Sequence, residues 1–126
     1  MNLKACLLAT ALAASGAAPA FAWDVIGVRD VRDRTERDTI VVEGHRDFNR
    51  IKLCVFRNPV HFYDLDVRYR NGGHQDVSIR ARINPGECTR AIDLNGHDRD
   101  ITTVSMLYEE TSFRRRAHAT VRLLGE

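Results

Sequence analysis

The sequence predicts an all-β domain, an antiparallel β-sandwich of about 7–9 strands with a jelly-roll or immunoglobulin-like shape. Short runs alternate apolar and polar residues, which is the period of a strand with one buried and one wet face. Turn signals rich in asparagine, glycine and proline separate these runs at regular intervals. Hardly any stretch beyond the N-terminal segment shows the period of an amphipathic helix.

The N-terminal segment has the three parts of a secretory signal peptide. Lys4 supplies a positive charge, residues 5–14 form an apolar segment, and residues 20–22 (Ala-Phe-Ala) provide the small-x-small pattern that signal peptidase cleaves. We therefore expect a signal peptide over residues 1–22, one domain over 23–126, and a periplasmic or secreted location without membrane insertion. Cleavage two residues earlier and an uncleaved membrane anchor are the alternatives. The apolar segment is shorter than the roughly 20 residues that span a bilayer.

Eight segments have strand patterns. In chain order they are residues 23–31, 39–43, 51–56, 60–69, 77–83, 88–94, 101–108 and 117–123. The clearest is 77–83, where four apolar residues alternate with three polar ones, and the turn residues at 71–73 (Asn-Gly-Gly) predict a hairpin with the segment before it. Two segments change phase, near Phe62 and near Thr102, and an extra residue at each place predicts a β-bulge.

Turn residues separate the other segments. Asn-Pro at 58–59 ends one strand pattern, Asn-Pro-Gly at 84–86 ends another, and Asn-Gly at 95–96 reverses the chain again. We expect Arg99 to hold this last corner by binding turn carbonyls or Asp93.

The charge balance argues against nucleic acid and anionic membranes as partners. Loss of Lys4 leaves 18 of the 19 basic residues against 17 acidic ones, a net charge of +1. Such a chain has no general field that attracts a polyanion. Its length, about 104 residues after cleavage, supports one domain with one modest core.

Two cysteines, Cys54 and Cys88, remain after the predicted cleavage. In an oxidising compartment they favour a structural disulfide, and two separate buried thiols are the alternative. The lack of a Cys-x-x-C spacing argues against a thioredoxin-like redox role.

An arginine tract forms the most conspicuous charge cluster. With the aromatic residue before it, it supplies four candidate binding residues: Phe113, Arg114, Arg115 and Arg116. The arginines suit a phosphate, a sulfated sugar or an acidic partner. Alternatively, a hairpin would pair Glu110 with the first arginine and Glu109 with the second.

The histidines include two His-x-Asp pairs, His45 with Asp47 and His74 with Asp76. Residues two apart on a strand share a face, so each pair places two metal ligands together. Nothing in the sequence fixes a third ligand. We therefore expect exposed turn residues, no metal and no cofactor, and we keep His74, beside the predicted hairpin turn, as a candidate binding residue.

No nucleophile motif, phosphate-binding loop or zinc spacing occurs in the sequence. Asp64 and Asp66 would share one strand face, and together with Glu109 they are the candidates for glycoside hydrolysis. The wet side of an alternating strand also explains the two aspartates. The sequence thus predicts no catalytic residues and no enzyme.

Four stretches carry a resemblance to known proteins: residues 25–28, 50–55, 91–101 and 104–108. With the signal peptide, their strand-and-turn patterns resemble a group of short exported bacterial proteins of unknown function that includes the YaaI-like proteins. The resemblance implies a periplasmic β-sandwich with no assigned activity and no catalytic residues.

The expected function is a non-enzymatic binding or accessory module of the cell envelope. Its ligand would be an envelope protein or polymer, bound at the 113–116 tip or the 71–74 turn, because loops carry binding sites on such folds. The alternatives are a small hydrolase of envelope carbohydrate and a purely structural or stress-protective periplasmic protein. The sequence does not set the oligomeric state.

Overall fold

The computed structural model describes residues 23–31, 35–111 and 118–126, and these ranges form nine strands and no helix. The strands are β1 Asp24–Val31, β2 Thr35–Val41, β3 Asp47–Phe48, β4 Arg50–Phe56, β5 Val60–Tyr69, β6 His74–Ile83, β7 Ile92–Asp93, β8 Arg99–Glu110 and β9 Ala119–Gly125. The predicted all-β class is confirmed. Within the described ranges no helix is long and apolar enough to cross a membrane.

Two antiparallel sheets pack together. The four-stranded sheet has the order β1-β9-β4-β7, and the five-stranded sheet has the order β2-β8-β5-β6. β3 belongs to the five-stranded sheet and pairs with the start of β8, where Phe48 lies opposite Arg99. This is the predicted β-sandwich.

Side chains from both sheets fill the core. Leu53 and Leu123 of the four-stranded sheet and Phe62 and Met106 of the five-stranded sheet are fully buried in one apolar cluster. Burial of each such side chain contributes roughly 1.5–3 kcal/mol. The alternate residues of the same strands face outward, so each sheet has an outer face.

Both predicted bulges are confirmed. In the pairing of β5 with β8, Tyr63 is an extra residue on β5 and Thr102 is an extra residue on β8. Each bulge reverses the facing of the residues that follow it. The apolar residues on both sides of each bulge therefore stay in the core.

The two glycine-containing corners also form as expected. At the β5–β6 turn Gly72 has a φ of +96°, and the Gly73 amide donates to Asn71 Oδ1 at 2.9 Å. At the other corner Arg99 Nη1 donates to the carbonyl of Asn95 at 2.6 Å, which is one of the two contacts predicted for it.

Four elements differ from the sequence prediction by more than two residues. β6 begins at His74 rather than at 77, so His74 lies on a strand and not in the turn. The strand predicted over 88–94 is reduced to β7, since Leu53 N donates to the Thr89 hydroxyl instead of to a strand carbonyl. β3 was not predicted, because a single apolar residue, Phe48, gives no alternation. β2 begins earlier than predicted, at Thr35, within a charged run that gives no apolar signal.

Candidate functional site

Cys54 and Cys88 form the predicted disulfide. Cys54 lies on β4, and the segment that carries Cys88 runs antiparallel beside it, with Val55 N donating to Glu87 O at 2.9 Å. The bridge ties this segment to the four-stranded sheet, and Cys54 is only 5% exposed.

The predicted tip at 113–116 lies outside the described residues. The two glutamates of the hairpin interpretation contact described residues. The Tyr63 hydroxyl donates to Glu109 Oε1 at 2.9 Å, and the Ala119 amide donates to Glu110 Oε2 at 3.1 Å. Burial raises the pKa of Glu110, although the Ala119 hydrogen bond and a neighbouring histidine act in the opposite direction.

Carboxylates face one another on the outer face of the five-stranded sheet. Asp64 and Asp66 alternate with buried residues of β5 and point away from the core. Asp66 lies directly opposite Asp76 on β6 and opposite Ser105 on β8. Like charges directly across a strand pair repel each other. Neighbouring cationic or donor groups are needed to offset this repulsion.

His74 adds a third group to the two carboxylates. Its Nδ1 lies 3.1 Å from Asp66 Oδ1 and 4.0 Å from Asp76 Oδ1. One ligand atom from each of the three residues fits within a span of 4.8 Å. Sequence reasoning placed His74 beside Asp76 and named Asp66 only as a candidate carboxylate for hydrolysis. It did not bring Asp66 to His74, because that contact depends on the register between β5 and β6.

Arg68 completes this cluster. Its Nε donates to Asp66 Oδ2 at 2.9 Å, which leaves Asp66 Oδ1 toward His74. Burial raises the pKa of Asp66, but the hydrogen bonds from Arg68 and His74 outweigh it and hold the pKa below its ordinary value. Asp66 therefore carries its negative charge at neutral pH.

A cleft of about 390 Å³ opens where the β5–β6 turn meets the start of β8. Its lining residues are Tyr69, Arg70, Asn71, Asp98, Arg99 and Asp100. The carboxylates considered for hydrolysis, Asp64, Asp66 and Glu109, do not line it. The cleft is shallow and open to solvent.

The cleft combines cations with hydrogen-bond acceptors. The guanidinium carbon of Arg99 lies 3.6 Å from the centre of the Tyr69 ring, which is a close cation–π contact. Arg70 donates from Nε to Asp100 Oδ2 and from Nη2 to the Gly44 carbonyl, both at 3.0 Å. Each guanidinium keeps N–H groups that no described residue accepts. Asp100 Oδ1 is buried and has no donor among the described residues.

Gln75 ties together the segments around this cleft. Its Oε1 accepts from the Tyr69 hydroxyl at 2.6 Å and from the Asn95 amide at 2.8 Å. Its Nε2 donates to the Asp93 carbonyl at 3.1 Å. Burial raises the pKa of Tyr69 more than Arg99 lowers it, so the hydroxyl keeps the proton that it donates to Gln75.

Comparison with known proteins places the chain in a family. The family model described as a domain of unknown function, DUF2541, matches residues 5–125. The chain belongs to the DUF2541 family. No curated protein matches its sequence.

Among solved structures, AlgX of Pseudomonas aeruginosa is similar to this DUF2541 chain over 82% of the chain, with 12% sequence identity and a TM-score of 0.49. The match covers 26% of AlgX, so the chain spans about a quarter of the length of that protein.

The sequence indicated some cleft residues only as turn residues. Asn71 and Arg99 were each assigned to a corner, and both corners form, but the meeting of the two corners is a tertiary contact. Arg70 N donates to the Asp100 carbonyl at 2.9 Å across this junction. The one sequence signal for the cleft was the alternating charge of residues 98–100 beside a turn. The same pattern is also typical of an ordinary solvent-exposed turn.

Proposed function

We propose that this protein is a non-enzymatic binding module of the cell envelope, exported by the signal peptide expected over residues 1–22. We also propose that it is related to the YaaI-like proteins. The observation that carries the proposal is the cleft between the β5–β6 turn and the start of β8. Its guanidinium groups are already held by protein acceptors. A preordered site avoids part of the ordering cost of binding.

The groups in the cleft favour a sugar-containing envelope polymer that bears carboxylates. Unused guanidinium N–H groups of Arg70 and Arg99 donate to carboxylate or hydroxyl oxygens. Asp98 and Asp100 accept from hydroxyl groups. A concave site of this volume suits one small polar unit, whereas a specific protein partner usually covers about 800 Å² of surface.

Soluble peptidoglycan fragments are the probe for this proposal. We expect them to shift the backbone amide resonances of residues 69–71 and 98–100 in a saturable manner, in tag-free protein kept in a metal chelator. The variant Arg99→Lys keeps the charge but loses the planar fork and should weaken binding about tenfold. Arg82→Lys, on β6 and outside the cleft lining, is the matched control and should bind normally.

Three outcomes would overturn the proposal. Saturable shifts confined to residues outside the cleft would move the binding site elsewhere. Fragments that are shortened during the titration would identify a hydrolase. A complete lack of saturable shifts would favour a structural protein without this ligand.

A further inference from the structure

The Asp66–His74–Asp76 cluster has the dimensions of a metal site. In a tetrahedral zinc site with bonds of about 2.0–2.1 Å, neighbouring ligand atoms lie about 3.3 Å apart. His74 Nδ1 is 3.1 Å and 4.0 Å from the two aspartate oxygens, and all three ligand atoms lie within 4.8 Å of one another. The Asp76 side chain is 78% exposed, so its carboxylate is free to rotate by the small amount that a common ion requires.

The backbone sets this geometry before any ion arrives. Asp66 and Asp76 are direct partners in the β5–β6 ladder, and His74 lies two residues before Asp76 on the same strand face. Ligands that stand on paired strands are held more rigidly than ligands on loops. A cation bound between the facing carboxylates would offset their mutual repulsion.

We propose that Asp66, His74 and Asp76 bind a divalent transition-metal ion of the zinc type, independently of any ligand in the cleft. One imidazole nitrogen and two carboxylate oxygens suit zinc, whereas calcium and magnesium prefer oxygen ligands alone. Three protein ligands leave a fourth position for water or an external group. Arg68, which donates to the other oxygen of Asp66, orients that carboxylate as an outer-shell partner.

Calorimetric titration with Zn²⁺ tests the site. The protein begins at residue 23 and carries no affinity tag, and its Cys54–Cys88 disulfide stays oxidised, so that neither a tag nor a thiolate binds the metal. We expect saturable binding of one ion per chain, and a loss of affinity of about tenfold or more in His74→Gln and in Asp76→Asn. Mg²⁺ should give no comparable binding.

Two substitutions serve as matched controls. His97→Gln changes an exposed histidine outside the cluster, and Asp64→Asn changes the neighbouring outward carboxylate on β5. Both should bind Zn²⁺ like the unmodified protein. Because Asp76 is largely exposed, Asp76→Asn is expected to fold, and its circular dichroism spectrum checks this.

The proposal is overturned if the unmodified protein shows no saturable binding, or if binding persists in both cluster variants. Equal losses in His74→Gln and His97→Gln would also overturn it. The peptidoglycan titration is done in chelator, so the failure of one proposal is distinguishable from the failure of the other.

Discussion

On the outer face of the four-stranded sheet, the Arg122 guanidinium lies 4.4 Å from the centre of the Phe56 ring. On the outer face of the five-stranded sheet, Asp66 lies opposite Asp76, and two like charges meet. The first arrangement covers apolar surface and stabilises the fold. The second places two carboxylates side by side and holds Asp66 with Arg68 and His74. A surface that brings two carboxylates and an imidazole together is the place to look for function.

The outer face of the four-stranded sheet has more than one cation–π contact. Lys52 Nζ lies 4.5 Å from the centre of the Trp23 ring, which is a second cation–π contact on this face. The Cys54–Cys88 bridge fastens the segment that runs beside β4. The cationic side chains, aromatic rings and cysteines in these contacts are all paired within the chain.

The five-stranded sheet carries both candidate binding features at one end. The Asp66–His74–Asp76 cluster and the cleft residue Asn71 lie at the same β5–β6 hairpin end. Asp100 Oδ1 in the cleft lacks a donor among the described residues. The comparison predicts that changes in the four-stranded sheet act on stability, and that changes at the hairpin end act on binding.

The largest expected effect is the loss of the disulfide. Cys54→Ser with Cys88→Ser opens a loop with a sequence separation of 34, and we expect the free energy of unfolding to fall by about 4 kcal/mol. Urea denaturation measures it. Reductant should destabilise the unmodified protein to the same extent and leave the double variant unchanged. A loss below about 1 kcal/mol would show that the backbone ladder alone holds this edge.

The next effect tests how closely the two sheets approach. A Cβ at Gly27 on β1 would overlap Ile40 Cγ2 on β2, and Ile40 is 1% exposed. We expect Gly27→Ala to lower the free energy of unfolding by about 1–3 kcal/mol in urea denaturation. Val28→Ala on the same strand, where Val28 is 54% exposed, should change it by less than about 0.5 kcal/mol. Equal effects would mean that the sheets separate easily at this corner.

Local patterns in the sequence predicted most of this fold. Alternation at 77–83 and 60–69 sets which residues are buried, and the phase changes at Phe62 and Thr102 locate the bulges. These signals succeed because burial acts on residues two apart in the same strand. β3 could not be predicted, because a strand of two residues is too short to show an alternation of apolar and polar residues.

The candidate site depends on contacts that local patterns do not encode. Asp66 and Asp76 are ten residues apart in the chain, and the bulge at Tyr63 helps to decide which residues of β5 and β6 face each other. The cleft likewise needs the β5–β6 turn to meet the start of β8. Sequence reasoning therefore found the His74–Asp76 pair and the corner role of Arg99, but neither the contact of His74 with Asp66 nor the cleft.

A pH-dependent effect tests the link between the end of β8 and the start of β9. Glu110 binds its proton more tightly in the folded chain, because burial raises its pKa. The free energy of unfolding should therefore fall as pH rises from about 4.5 through the raised pKa. Glu110→Gln keeps an acceptor for the Ala119 amide but does not titrate, so urea denaturation across this range should show a smaller slope. An unchanged slope would assign the pH dependence to other groups.

The smallest effects have opposite signs on the two faces. We expect Arg122→Ala to lower the free energy of unfolding by about 0.5–1 kcal/mol, since Phe56 loses its cation. In chelator, Asp76→Asn should raise it by a few tenths of a kcal/mol, since the repulsion with Asp66 disappears. Urea denaturation at low salt measures both.

Asp64→Asn is the control for this pair, because Asp64 lies opposite Ser78 rather than a carboxylate. It should leave the free energy of unfolding nearly unchanged. If Asp76→Asn instead destabilised the protein as much as Arg122→Ala, Asp76 would stabilise the sheet through His74. The polar groups on the five-stranded face would then be paired within the chain, as those on the other face are. The facing carboxylates would no longer argue for a bound cation. A stabilising Asp76→Asn that also abolishes Zn²⁺ binding would show that this face retains an unfavourable pair because the pair binds an ion.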